Sequence, residues 1–289
     1  MTQIQTANTS QTWTFFNGGW HEGNVAIMGP RTQGSWLASV VFDGARAFEG
    51  VAPDLDKHCA RINKSAVALG LKAVVPDERW VALVQEGRKK FAPDAALYIR
   101  PMYWADTGIG GGVRFDPEST CWCLCLYEAP MPPFKGSSIT LSPYRKPTAE
   151  TAPVFAKASC LYPNNSMALA EAAARGFDNC LMRDMLGNVA ELGNANVFMV
   201  KDGVAYTPAP NGTFLSGITR ARVIKLLRDS GVEVVEKALT HCDFLDADEI
   251  FSAGNFAKIS PYTRIEDRNL QIGPITSRAR KLYWEFAHS

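Results

Sequence analysis

No apolar run in this chain approaches the roughly 20 residues that span a bilayer. The stretch from Met1 to Thr14 lacks the basic and apolar segments of a secretory signal. A cytoplasmic protein that does not enter a membrane is therefore expected. An excess of one charge is also missing: 30 Lys and Arg face 29 Asp and Glu, too even a balance to draw in a nucleic-acid backbone or an anionic lipid surface. Small molecules are the expected partners. Histidine is scarce, and none of His21, His58, His241 and His288 sits in an H-E-x-x-H setting. With no G-x-S-x-G either, metalloprotease and serine-hydrolase chemistry lack their usual signatures.

Paired C-x-x-C knuckles are absent too. The seven cysteines are odd in number and scattered, which argues against a disulfide framework or a structural zinc and predicts reduced thiols with no metal. The alternation Cys121, Cys123, Cys125 places three thiols on one face of a strand, too widely spaced to chelate one ion easily. Apolar Trp122 and Leu124 between them predict a strand covered on both sides. What the chain has is apolar bulk: 46% hydrophobic and 10% aromatic residues over 289 positions can bury a large core in one or two domains.

The first half mixes strand-like runs with two helical ones. Leu55, Cys59, Ile62, Ala66 and Leu69 recur at helical spacing and Gly70 can end that helix; a second helix is predicted over Asp77 to Phe91. Strands are predicted at Trp13–Phe16, Val25–Met28, Ala96–Tyr103 and Thr120–Leu126. The segment Ala129-Pro-Met-Pro-Pro-Phe-Lys-Gly136 can continue neither a helix nor a central strand. It therefore marks a boundary: a domain over 1–127, a connecting loop over 128–136 and a second domain over 137–289. The second half alternates hairpins, with turns at Asp184–Gly187 and Asp202-Gly203, with helices at Asn165–Arg175 and Thr219–Asp229. Strands at Ser138–Leu141 and Glu249–Ser252 complete the reading. The class is α+β, without a repetitive βαβ array.

Among residues that could carry chemistry, Gly108-Ile-Gly-Gly-Gly112 lacks the Lys-Ser/Thr and the helix that a phosphate loop requires, and reads as a flexible loop. Phe155-Ala-Lys157-Ala-Ser-Cys160 sets one lysine among small and apolar residues, where burial would favour the neutral amine that a Schiff-base lysine needs. Asn188-Val-Ala-Glu191 ends a strand with a carboxylate able to face a cationic ring nitrogen. Ser216-Gly-Ile-Thr219 opens a helix with free backbone N–H groups and a hydroxyl, an anion site or simply an N-cap.

These motifs together resemble the class IV, fold-type IV aminotransferases: Ala-Lys157 with a tyrosine five residues on, Gly-Asn-Val-Ala-Glu191 leading to Asn-Val-Phe198, and Ser-Gly-Ile-Thr-Arg220 before a helix. Upstream, Val41-Phe-Asp-Gly-Ala-Arg46, the stretch His58 to Ser65 around Arg61, and Tyr98-Ile-Arg-Pro101 extend the likeness over most of the chain. The resemblance implies a small N-terminal α+β domain, a larger C-terminal domain built on a barrel-like sheet, a homodimer and pyridoxal 5′-phosphate.

It further implies that Lys157 carries the cofactor as a Schiff base and shuttles the substrate proton, and that Glu191 pairs with the pyridine nitrogen. Arg61, the backbone of Ile218 and Thr219, and Asn255, which stands where a threonine is usual, would hold the phosphate. Tyr162 would meet the phenolic oxygen and Leu215 the ring face. Tyr98 and Arg100 would hold the substrate carboxylate, with Phe42 and Leu37 beside the substrate, the latter in place of a usual tyrosine. The implied reaction is branched-chain-aminotransferase-like transamination between an amino donor and a 2-oxo acid. D-amino-acid and (R)-selective amine transaminases and 4-amino-4-deoxychorismate lyase are alternatives on the same fold, and a non-catalytic small-molecule-binding protein is the alternative from another class.

Overall fold

The structure, a computed structural model, describes residues Ser10 to Ser289. The chain falls into two compact units. The first runs to Met131 and takes in Ala156–Cys160; the second comprises Pro132–Phe155 and Leu161–Ser289.

The first unit contains β1 (Thr12–Phe16), β2 (Gly19–Glu22), α1 (Gln33–Leu37), β3 (Val40–Phe42), β4 (Ala45–Ala47), α2 (Leu55–Leu69), α3 (Asp77–Arg88), β5 (Leu97–Ala105) and β6 (Thr120–Glu128). Its antiparallel sheet has the order β2-β1-β6-β5-β3, and β4 also pairs with β5. Alternation along β5 separates two faces. Leu97, Ile99 and Tyr103 are buried, and Trp80 of α3 packs edge-on against Tyr103 and Trp122, with ring centroids 5.5 and 5.1 Å away. A buried aromatic pair of this geometry adds about 0.5–1.5 kcal/mol beyond its area. The opposite face carries Arg46, Tyr98, Arg100 and Tyr127, since Arg46 and Tyr127 both register with Tyr98.

Helix α2 matches the expected span, with Gly70 in the left-handed conformation at φ 92° as its cap. The expected strand at Val25–Met28 does not form; Ile27 and Met28 instead cover an apolar patch of Val40, Trp104 and Cys123 as irregular chain. Apolar side chains on a covering loop look like a short strand in sequence, because both bury the same residue types. Helix α3 stops at Arg88, and three turn hydrogen bonds carry the chain on to Phe91.

The second unit contains β7 (Ser137–Arg145), α4 (Tyr162–Ala174), β8 (Asn179–Arg183), β9 (Val189–Leu192), β10 (Asn196–Lys201), β11 (Val204–Pro208), α5 (Ile218–Asp229), β12 (Val234–Lys237), α6 (His241–Leu245), β13 (Glu249–Gly254), β14 (Lys258–Ile265), β15 (Arg268–Asn269) and α7 (Pro274–Ala287). The mixed sheet has the order β12-β11-β10-β13-β14-β7-β8-β9. It curls until β9 approaches β10 and β11, around a core that includes Ile139, Leu181, Leu192, Val197, Met199, Ile250 and Tyr262. Helices α5 and α7 pack on β13 and α4 on β7 and β8, so this is a half-barrel with helices against its strands. Both expected hairpins form. Asp202 and Gly203 take φ of 51° and 79°, the doubly positive turn that suits the twist of two antiparallel strands.

All seven cysteines are free thiols. Burial pushes the Cys59 and Cys123 thiols up to about 12. Among the described residues, no helix is long and apolar enough to cross a membrane and no cluster of side chains could hold a metal ion.

Candidate active site

In the first unit, Lys157 sits on a pinned segment. Its N–H donates to Ser65 Oγ at 3.2 Å, its carbonyl accepts from the Phe42 N–H at 3.1 Å, and Ala158 forms an antiparallel bridge with Val41. Ala156 and Ala158 are buried on either side, while Lys157 itself is half-buried and Phe155 is exposed. The ammonium lies 5.0 Å from the centre of the Phe42 ring. Leu37, at the end of α1, is half-buried.

Tyr98, Arg100 and Tyr127 form one cluster. The two phenol rings stack with centroids 5.3 Å apart. The Arg100 guanidinium lies 5.2 Å from each ring centre and donates to Tyr127 Oη at 2.6 Å. A side chain on Gly44 would lie 2.2 Å from Tyr98 Oη, so the phenol needs that position to be glycine. Burial pushes the Tyr98 phenol above its ordinary value, and the Lys157 and Arg100 charges pull it back. Arg100 Nε is buried with no acceptor among the described residues, which leaves a charged donor able to meet an anion.

Arg61 has a partner not foreseen from sequence. Its Nε and one terminal nitrogen hold both oxygens of Asp43, at 2.6 and 2.9 Å, and His58 Nδ1 lies 2.7 Å from the same carboxylate. Burial pushes the Asp43 carboxyl up, but the Arg61 and His58 charges and hydrogen bonds outweigh it and hold the group well below the usual carboxylate range.

In the second unit, Glu191 on β9 is gripped at both oxygens. Lys146 Nζ lies 2.7 Å from Oε1, and Asn196 Nδ2 donates to Oε2 at 3.1 Å. Asn196 also contacts the Leu215 carbonyl at 3.4 Å, and its Oδ1 occupies the space a side chain on Gly217 would need. Ile218 and Thr219 follow directly as the first residues of α5. Its N-cap Gly217 offers no side-chain cap and its first turn holds no acidic residue, so the positive end of the helix dipole is left for an external anion. Asn255 follows the end of β13, whose Ala253 registers with Asn196, and its Nδ2 is a buried donor with no partner among the described residues. Tyr162, the first residue of α4, is partly exposed. Gly108–Gly112 forms a short 3-10 turn and no helix N-terminus.

Within each unit, the structure thus joins Lys157 to Phe42, Tyr98 to Arg100, and Glu191 through Asn196 to Leu215 and the start of α5. Sequence reasoning missed Asp43, Tyr127, Lys146 and Asn196 as partners. Asn196 and Asp43 lie inside quoted motifs and so were within reach; Tyr127 and Lys146 become neighbours only through the fold. A buried donor, a helix start without an acidic side chain and a fixed carboxylate are the chemistry that a phosphate and a protonated ring nitrogen would meet.

A family model described as amino-transferase class IV matches residues 40–265. An aminotransferase from Brucella abortus, solved bound to the co-factor PLP, is 54% identical with a TM-score of 0.95, over 96% of this chain and 100% of that one. The branched-chain-amino-acid aminotransferase of Pseudomonas aeruginosa is 30% identical over 260 residues, 85% of this chain and 83% of the relative. A branched-chain aminotransferase from Thermoproteus uzoniensis, solved with norvaline, is 28% identical with a TM-score of 0.87, over 97% of this chain and 96% of that one.

Proposed function

This chain belongs to the class IV amino-transferases, and on that premise we propose that it uses pyridoxal 5′-phosphate to move an amino group between an amino acid and a 2-oxo acid, as the branched-chain aminotransferases do. The observation that carries the reading is the pinned lysine: Lys157 has both backbone groups hydrogen-bonded and buried alanines on each side, a constraint that a solvated surface lysine does not need. The lyase, D-amino-acid and (R)-amine readings find no support among the relatives described above.

On this reading the residues would divide the cofactor among them. Backbone N–H groups of Ile218 and Thr219 and the Asn255 amide bind the phosphate, and Arg61, engaged with Asp43, lends its positive charge. Glu191, an anion held at two points, keeps a proton on the ring nitrogen. Tyr162 binds the phenolic oxygen and Leu215 covers a ring face. Bound pyridoxal phosphate supplies an electron sink for negative charge at the substrate α-carbon. Lys157 Nζ would hold the cofactor at its aldehyde carbon until the substrate amine displaces it, and the freed Lys157 amine would then carry the proton that leaves the α-carbon. Arg100 and Tyr98 orient the substrate carboxylate, with Phe42 and Leu37 beside its side chain. A cytoplasmic homodimer completes the proposal, and sedimentation of the purified protein checks the oligomer.

The test is chemical. The purified protein should be yellow, and borohydride reduction should fix the cofactor mass to the peptide containing Lys157. A label on another peptide, or no label, ends the reading.

A further inference from the structure

Strands β13 and β14 are joined by Asn255, Phe256 and Ala257, between the paired residues Gly254 and Lys258. Arg280 of α7 donates to the Ala257 carbonyl at 3.1 Å and so holds the turn from behind. Lys258 closes the turn with φ 62°, in the left-handed region where glycine is the favoured residue. Its side chain is buried, the residue being 1% exposed. A lysine that accepts both an unfavourable backbone angle and burial points to a use for its side chain.

That use is visible at Asn255. Lys258 Nζ lies 2.8 Å from Asn255 Oδ1. An ammonium only donates, so the atom facing it must be the amide oxygen, and the Asn255 amide cannot be turned round without setting two donors against each other. The Nδ2 group is thereby held to the other side, where it is a buried donor without an acceptor among the described residues. The register of Ala253 with Asn196, and the contact of Asn196 with Gly217, tie this turn to the start of α5.

We propose that Lys258 is a positioning residue for cofactor binding: it locks the Asn255 amide so that Nδ2 is presented to the phosphate group. The inference rests on the proposed function and adds a residue to it. Because the contact is made only to phosphate, Lys258 should distinguish pyridoxal 5′-phosphate from pyridoxal, which is the same ring without the phosphate.

The experiment titrates cofactor-free wild type, Lys258→Met and Lys258→Gly with both compounds and follows binding by absorbance. Lys258→Gly relieves the backbone angle while removing the ammonium, so it keeps the fold even where Lys258→Met does not. We expect the dissociation constant for pyridoxal 5′-phosphate to rise about tenfold or more in both variants, with that for pyridoxal changed less than about twofold. Asn255→Ala should show the same pattern, and adding it to Lys258→Gly should cost little more, because both changes remove one contact. Equal losses for the two compounds, or unchanged phosphate-compound affinity, would overturn the inference. Wild type that binds neither compound would instead remove the proposed function, and the inference with it.

Discussion

Lys146 Nζ meets Glu191 Oε1 at 2.7 Å, with the two side chains only 7% and 14% exposed, so a cation already holds the carboxylate assigned to the ring nitrogen. Asn165 Oδ1 accepts from the same ammonium at 3.1 Å. Removing one member of a buried pair strands the other charge, at a cost of about 3–5 kcal/mol. Lys146→Met should lower the urea midpoint accordingly, and Lys146→Met combined with Glu191→Gln should recover part of the loss. Lys146→Arg should be the mildest change, since a guanidinium can keep the contact. A Lys146→Met protein as stable as wild type would show that the pair contributes no stability.

Glu191→Gln tests the other partner. The amide can still accept a hydrogen bond but carries no charge, so the ring nitrogen loses its reason to stay protonated. Each pKa unit lost there is worth about 1.4 kcal/mol. Cofactor content should stay near one per chain while turnover falls by at least about tenfold. Unchanged turnover would reduce Glu191 to a structural partner of Lys146 and Asn196.

Thiol chemistry should follow burial. Cys160 and Cys242 are exposed, whereas Cys59, Cys123 and Cys180 are buried, with thiols pushed up by burial to about 12, 12 and 11. Because the thiolate is the nucleophile, iodoacetamide at pH 8 should modify Cys160 and Cys242 in the native protein and spare those three until it unfolds. Peptide mapping reads the order; early alkylation of Cys123 would show that β6 is not covered as described.

Arg100 carries the expectation for substrate class. Its fork stands against two phenol rings with one buried nitrogen lacking an acceptor among the described residues, and a substrate carboxylate would satisfy it. Losing such a charge-assisted contact costs about 1.5–3 kcal/mol, tenfold or more in binding. Arg100→Ala should therefore impair amino acids and 2-oxo acids far more than 1-phenylethylamine. Equal losses for both donor classes, with a lowered melting temperature, would make Arg100 a structural residue of the first unit.

Elements whose pattern is local were legible in the sequence. Helix α2 announces itself through Leu55, Cys59, Ile62, Ala66 and Leu69, and the β10–β11 hairpin through Asp202-Gly203. Strand β14 and helix α7 were not anticipated, although α7 opens with a proline and packs on α5, β13 and β14; with Arg278, Arg280 and Lys281 among its residues, its apolar stripe is narrow. The site divides in the same way. Lys157, Glu191 and the start of α5 stand in short motifs, whereas Lys146 lies 45 positions before Glu191 in the chain and Asp43 is 18 residues from Arg61. Only β7 lying beside β8, which pairs with β9, and α2 packing on β3, bring those charges together.

Asp43 provides the pH test. In the unfolded chain its carboxyl titrates at its ordinary value, 3.8, and in the folded protein it is held well below that, because the Arg61 and His58 contacts outweigh burial. A group whose folded value is depressed contributes stability that is fully present above the unfolded value and is lost as pH falls through the folded one. The contribution should therefore be constant from about pH 5 upward and drain away below about pH 4. Asp43→Asn removes the titrating carboxyl and its two-point ion pair with Arg61, so it should be less stable than wild type at pH 7 by about 3–5 kcal/mol, the cost of breaking a buried ion pair. Between pH 4 and 2 the two proteins should converge, because wild type alone pays for protonating this group. Urea midpoints measured for both at a series of pH values decide the matter: curves that stay parallel down to pH 2 would show that the Asp43 carboxyl titrates normally and that its contacts with Arg61 and His58 do not hold it ionised.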